Sequence, residues 1–99
     1  MNDMDKLQNK IVRWQNKTFT ESTAFSKLIH LKKEINELSK DMSSGRDVGS
    51  EIADCQILLF GIAGKYKKSC YKEATKKLEI NKKRKWGKPD KNGVVEHID

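Results

Sequence analysis

Apolar residues recur at spacings of three and four along most of the chain, and that spacing predicts a succession of amphipathic helices. The first covers Asp3 to Gln15, where Met4, Leu7, Ile11 and Trp14 form a thin stripe. Thr18 to Thr23 is rich in hydroxyls and β-branched residues, so it predicts a loop with a capping residue ahead of the second helix. That helix, with His30 near its start, carries Leu28, Leu31, Ile35, Leu38 and Met42 as a clean core stripe. Gly45 is its expected C-terminal stop, and Asp47 or Ser50 the cap of the next. The third helix runs to about Gly64. Its Ile52, Ile57, Leu58, Leu59, Phe60 and Ile62 leave almost no polar face, which predicts burial on most sides. After the basic connection KYKKS, a fourth helix spans Ser69 to Lys85, with Ala74, Lys77, Asn81 and Arg84 on one inward-looking face. Gly87, Pro89, Asp90, Asn92 and Gly93 make the remainder turn-rich, with Trp86 as its anchor and Val94 and Val95 as a short extended segment. The fold class expected is all-α: an antiparallel bundle of about four helices with an irregular C-terminal tail, forming one domain over residues 1–99.

A single domain of 99 residues buries only about 60–70% of its unfolded surface. The third helix has more apolar surface than one thin bundle covers, so self-association is expected. The net charge of +7 is unevenly spread. Lys65 to Lys91 holds twelve basic and three acidic residues, whereas His30 to Asp54 holds four basic and six acidic ones. A basic half facing an acidic, metal-capable half suits a polyphosphate; a generic basic patch also binds DNA weakly, and composition does not choose between them. Cys55 and Cys70 lack C-x-x-C spacing, which argues against zinc; Cys55 reads as a small buried hydrophobe and Cys70 as a position near a helix start. No apolar run has the length of a membrane span and the polar N-terminus does not read as a signal peptide, so the simplest expected location is a reducing cytoplasm.

The chemistry lies in two acidic pairs of equal spacing, Glu34 with Glu37 and Glu51 with Asp54. Residues three apart share one helix face. Glu51 follows Glu37 by fourteen positions, enough for a helix end, a polar turn and a new start. A turn that short makes antiparallel neighbours, so the four carboxylates are expected to meet in space. Glu34 borders the core stripe, Glu37 lies further out beside His30 and Asp41, and Glu51 shares a side with Cys55, Leu58 and Ile62. Carboxylates among apolar residues need a cationic partner, and convergent oxygen donors suit Mg²⁺ or Mn²⁺. The plainer reading, solvated acids paired with Lys33 and Lys40, would win for a lone E-x-x-E but not for two such pairs with the second in an apolar helix. Lys77, Asn81 and Arg84 combine a point charge, an amide and a forked donor suited to phosphate oxygens, against the alternative of a solvated Lys-rich helix. Trp14 and Phe19 either stack a nucleobase or, more often for such residues, join the core. A lone His30 is more often structural than catalytic. There is no P-loop, nucleophile elbow, EF-hand loop or internal repeat.

Taken together, HLKKEINEL at 30–38, EIADCQILL at 51–59, KLEINKKRKWGKPDKNGVVEHI at 77–98 and, more loosely, WQNKTF at 14–19 resemble the MazG-like all-α nucleoside triphosphate pyrophosphohydrolases, in particular the small phage and bacterial dATP/dGTP diphosphohydrolase-like branch. The resemblance implies a helical bundle assembled as a homodimer or homotetramer that uses Mg²⁺, or Mn²⁺, to convert a nucleoside triphosphate into the monophosphate and pyrophosphate. By position, Glu34, Glu37, Glu51 and Asp54 match the family's metal-binding acids, and Lys77, Asn81 and Arg84 its triphosphate contacts. Trp14 and His30 are placed on the substrate side. The broader family often carries a further acid immediately before Glu34, where this chain has Lys33, which bears on the number of metals bound. Glu34 or Glu37 would position the attacking water, and Lys77 and Arg84 would stabilise the departing charge. The competing expectation is a non-enzymatic basic helical module that binds nucleic acid or a protein partner.

Overall fold

The computed structural model describes residues 1–99 and contains four helices: α1 (Asp3–Thr18), α2 (Ala24–Ser43), α3 (Gly49–Lys65) and α4 (Cys70–Lys82). The Asn2 side chain caps α1 by accepting from Asp5 N at 2.8 Å. This helix runs three residues past Gln15, and the loop to α2 shrinks to Phe19–Thr23. A reciprocal capping box explains where α2 begins: Ser26 N donates to Thr23 Oγ1 at 3.0 Å, and Thr23 N donates to Ser26 Oγ at 2.9 Å. His30 therefore sits in the second turn of α2 rather than at its start. Gly45 closes α2 in the left-handed region at φ +70°, as its position implied. The N-cap of α3 is Val48, which offers no side-chain bond; Asp47 instead accepts from Gly49 N at 2.9 Å, and Ser50 lies inside the helix.

Ser69 caps α4, and its hydroxyl also donates to Asp5 Oδ1 at 2.6 Å, tying the start of α4 to the start of α1. α4 ends at Lys82, three residues earlier than its sequence suggested, because Trp86 folds back and donates its indole N–H to the Asn81 carbonyl at 3.0 Å. The tail then forms an irregular hairpin. Gly87 N donates to Glu96 O and Ile98 N to Lys85 O, both at 2.9 Å, with a lone antiparallel bridge between Trp86 and His97. Val94 and Val95 stay exposed and form no strand.

α3 is the central rod. It packs along α2 on one side and α1 on the other, while α1 and α2 do not touch; α4 reaches only α1 and α3. The α1–α3 seam is close because Gly61 and Gly64 face it: a Cβ at Gly61 would collide with the Gln15 amide, and one at Gly64 would come within 2.6 Å of Val12 Cγ2. α1 turns glutamines inward rather than its apolar stripe. Gln8 Nε2 donates to Lys68 O at 2.8 Å and its Oε1 accepts from Cys70 N at 2.9 Å, while Gln15 Nε2 donates to Ile57 O at 3.3 Å. Leu7 and Trp14, from the expected core stripe, are about half exposed at 49% and 52%.

The buried apolar core is small, consisting of Leu31, Leu58 and Phe60. The expectation that α3 is covered on most sides fails for the single chain, since Ile52 and Leu59 are exposed: α1 and α2 cover two faces and α4 only touches the rod. Accessible surface totals 7872 Å², against roughly 5,800 Å² for a folded monomer of this mass. The radius of gyration of 15.9 Å likewise exceeds the ~12.6 Å typical of this length. No helix is long and apolar enough to cross a membrane.

Candidate active site

Because α1 and α2 lie on opposite sides of α3 without meeting, a cleft of about 430 Å³ opens between them, floored by Asp54, Ile57 and Leu58 of α3. At one end stand Trp14 and Phe19, edge to face with ring centroids 5.3 Å apart. The loop and first turns of α2 add Ser22, Ser26, Lys27 and His30. Glu34 and Asp54 line the other end, so the cleft joins an aromatic end to an acidic one. Trp14 is thus a wall of this cleft and not a core residue.

His30 Nε2 lies 3.2 Å from Glu34 Oε1, one turn along α2, which fixes the direction of that half-buried carboxylate. Across on α3, burial pushes the Cys55 thiol up, and the carboxylates of Glu34, Asp54 and Glu51 push it further. The charges of three of the four candidate acids therefore reach one half-buried side chain. Glu51 itself is pushed up, first by sharing a hydrogen bond with Asp41 and also by its burial and the charge of Asp54. Asp41 is correspondingly held down by that bond and by Arg46, whose Nε lies 3.0 Å from Asp41 Oδ1. Two neighbouring carboxyl groups that push each other's pKa apart mark a place where a cation is favourable.

Glu37 stands apart, more than half exposed and 3.4 Å from Lys40 Nζ. No three acidic, histidine or cysteine side chains converge tightly enough to grip an ion as they stand. The donor set still fits a hard divalent ion: Glu34, Glu51, Asp54 and the newly placed Asp41 are all oxygen ligands on the facing helices α2 and α3.

Lys77 and Asn81 of α4, and Arg84 just past its end, are not brought to this cleft. Lys77 is exposed, Asn81 and Arg84 are half-buried, and α4 makes no contact with α2. Contrary to the inward-looking face expected, no α4 residue is buried. The Asn81 Oδ1 atom is enclosed without a hydrogen-bond partner. Sequence reasoning missed Lys27 and Gln15 as cleft residues. The signal for Lys27 was its position seven residues before Glu34, two turns along the same face; Gln15 gave none, being one polar residue of a polar helix.

A bundle carrying paired helical carboxylates beside an aromatic cleft defines a class of nucleotide-processing helical enzymes. The chain belongs to the dATP/dGTP pyrophosphohydrolase family, which matches residues 7–99, and it is accordingly a nucleotide pyrophosphohydrolase acting on phosphoric anhydride bonds. It is similar in structure to the cyanophage S-2L MazG-like pyrophosphohydrolase, with a TM-score of 0.83, 28% identity and 100% of each chain covered. That protein was solved bound to dGDP and three catalytic Mn²⁺ ions per active site. No curated protein sequence matches. Family membership sets aside the non-catalytic binding module.

Proposed function

We propose that the protein hydrolyses a purine deoxynucleoside triphosphate to the monophosphate and pyrophosphate, using Mg²⁺ or Mn²⁺ bound by Glu34, Glu37, Glu51 and Asp54. The observation that carries this reading is the course of the cleft, from the Trp14–Phe19 pair to Glu34 and Asp54. A nucleotide laid along it has its base against the aromatics and its phosphates at the acids. The family match and the metal- and dGDP-bound relative support the same direction.

Divalent ions bound by these acids would neutralise phosphate oxygens and make a bound water more acidic. Glu34, steadied by His30, or Glu37 orients the attacking water and takes its proton. Asp41, held down beside a raised Glu51, joins the acidic set, and any proton that the pair retains sits on Glu51. Lys77, Asn81 and Arg84 bind the triphosphate and stabilise the leaving pyrophosphate. They do so from a second copy of the chain, because α4 does not approach α2 of its own chain. The enzyme is therefore a homodimer or homotetramer with composite sites.

The test is product analysis with each deoxynucleoside triphosphate, with and without Mg²⁺ or Mn²⁺. Monophosphate and pyrophosphate appear together, only with the metal, and Glu51→Gln lowers the rate by about a hundredfold or more. Release of inorganic phosphate alone, or metal-independent turnover, overturns the reading.

A further inference from the structure

Lys27 is chemically out of place. It is 4% exposed in the first turns of α2, beside the end of a helix whose dipole already repels a cation. No carboxylate lies within ion-pair distance of it. Its ammonium makes one hydrogen bond, to Ser22 Oγ at 2.9 Å, although it carries three donors. Burial and the charge of Lys65 both push its pKa down, so nothing nearby compensates the charge. A buried cation with donors to spare, in the wall of a ligand cleft, is matched to an acceptor that the ligand brings.

Its position selects the acceptor. Lys27 lies two turns, about 10 Å, along α2 from Glu34, on the wall shared with Trp14 and Phe19. With the phosphates at the acids, the group that reaches Lys27 is the base. The capping box already occupies the amide N–H of Ser26, so this end of α2 is not an open cradle for a second phosphate. Guanine presents two acceptors, O6 and N7, on one edge, whereas adenine replaces O6 with an amino donor that meets the ammonium donor to donor.

We propose that Lys27, oriented by Ser22, is a specificity-determining residue that reads the O6/N7 edge of guanine and makes the site prefer guanine over adenine deoxynucleotides. This rests on the orientation of the nucleotide proposed above, with its phosphates at Glu34 and Asp54. Lys27 donates to O6 and N7 and the purine lies against the aromatic pair, whereas adenine keeps only N7 as an acceptor and sets its amino donor against the ammonium where O6 would be.

The experiment compares kcat/KM for dGTP, dITP, 7-deaza-dGTP and dATP on the full chain. In parallel, binding of dGMP and dAMP is followed by tryptophan fluorescence. Wild-type protein favours dGTP and dITP over dATP by about tenfold or more, the scale of one paired base edge, with 7-deaza-dGTP between. Lys27→Met, close in volume and apolar, collapses the dGTP-to-dATP ratio, and Ser22→Ala narrows it. The proposal is overturned if wild-type protein treats dGTP and dATP alike, or if Lys27→Met slows both by the same factor, which would make Lys27 a phosphate ligand. Because the analogue series needs no variant, a misfolded mutant does not shield it. If no nucleotide is hydrolysed, the hydrolase reading fails by itself, and equal or unequal binding of dGMP and dAMP still decides the role of Lys27.

Discussion

A carboxylate or an amine buried in a helical bundle has to be answered by a partner, and Lys27 gains its meaning from the partner it lacks. Lys27 is held as a cation at an energetic cost to the free protein. Its folded pKa is below the ordinary 10.5, so between those two values the unfolded chain holds more protons and stability rises with pH. The penalty is complete below the folded pKa and gone above the unfolded one. His30 and Ser26 in the cleft wall and Lys65 on α3 supply no countercharge. Lys27→Met is therefore expected to raise the melting temperature at neutral pH, by an advantage over wild type that shrinks as pH approaches 10.5; thermal unfolding of both proteins from pH 7 to 10.5 measures it. A variant less stable than wild type at neutral pH would mean that the Ser22 bond outweighs desolvation. At this scale the sequence was partly legible. Equal acid spacing singled out Glu34, Glu51 and Asp54, whose fields all reach Cys55, but the coupling of Asp41 with Glu51 depends on how the turn at Gly45 aligns α3 with α2, which no one-dimensional pattern encodes.

Elements were read best where the physics is local. The existence of α2 and α3 and the stop at Gly45 follow from side-chain periodicity and one left-handed residue, but the core stripe expected of α2 does not hold in the single chain: Leu31 is buried, whereas Leu28, Ile35 and Met42 are exposed because only α3 packs along that helix. α1 was misread in its facing because it binds α3 through Gln8 and Gln15, whose buried amides satisfy backbone carbonyls and one amide. Glutamine in a stripe looks like surface, and only the glycines opposite could hint at close approach. Those glycines separate two effects. At Gly64 an added methyl meets Val12, a β-branched side chain with little freedom to move. Gly64→Ala is expected to destabilise by about 1–3 kcal/mol, outweighing the ~1 kcal/mol that alanine gains in helix propensity; urea unfolding reads the sum. At Gly61 the methyl meets the flexible end of Gln15, which can swing away into the cleft. Gly61→Ala should thus weaken nucleotide binding more than it weakens the fold, a split that fluorescence titration and unfolding measured together resolve.

Across the whole molecule, the excess of surface over a typical monomer is about 2,000 Å², the size of an extensive protein interface. Leu7, Trp14, Ile52, Leu59 and Leu78 all lie exposed, and α4 is an arm with no buried residue. The two-sided apolar pattern of α3 was visible in the sequence; what would cover its open face was not, because a stripe specifies an apolar face but not its partner. If a second copy lays its α4 across the acid-bearing helices, two defective chains repair each other. Glu51→Gln removes an acid from a chain whose Arg84, two residues past the end of α4, is intact, and Arg84→Ala does the reverse. Each alone is expected to be nearly inactive. After unfolding and refolding together in equal amounts, a dimer assorts at random, half of the dimers are mixed, and each mixed dimer has one intact site of two, so activity returns to about a quarter of wild type. Light scattering on the same samples gives the mass, expected at two or four times the 11.4 kDa of the chain. Recovery shows that Arg84 serves the acids of another chain. Absence of recovery, in samples whose mass proves mixing, would return α4 to its own protomer and require it to swing through the space that now separates it from α2.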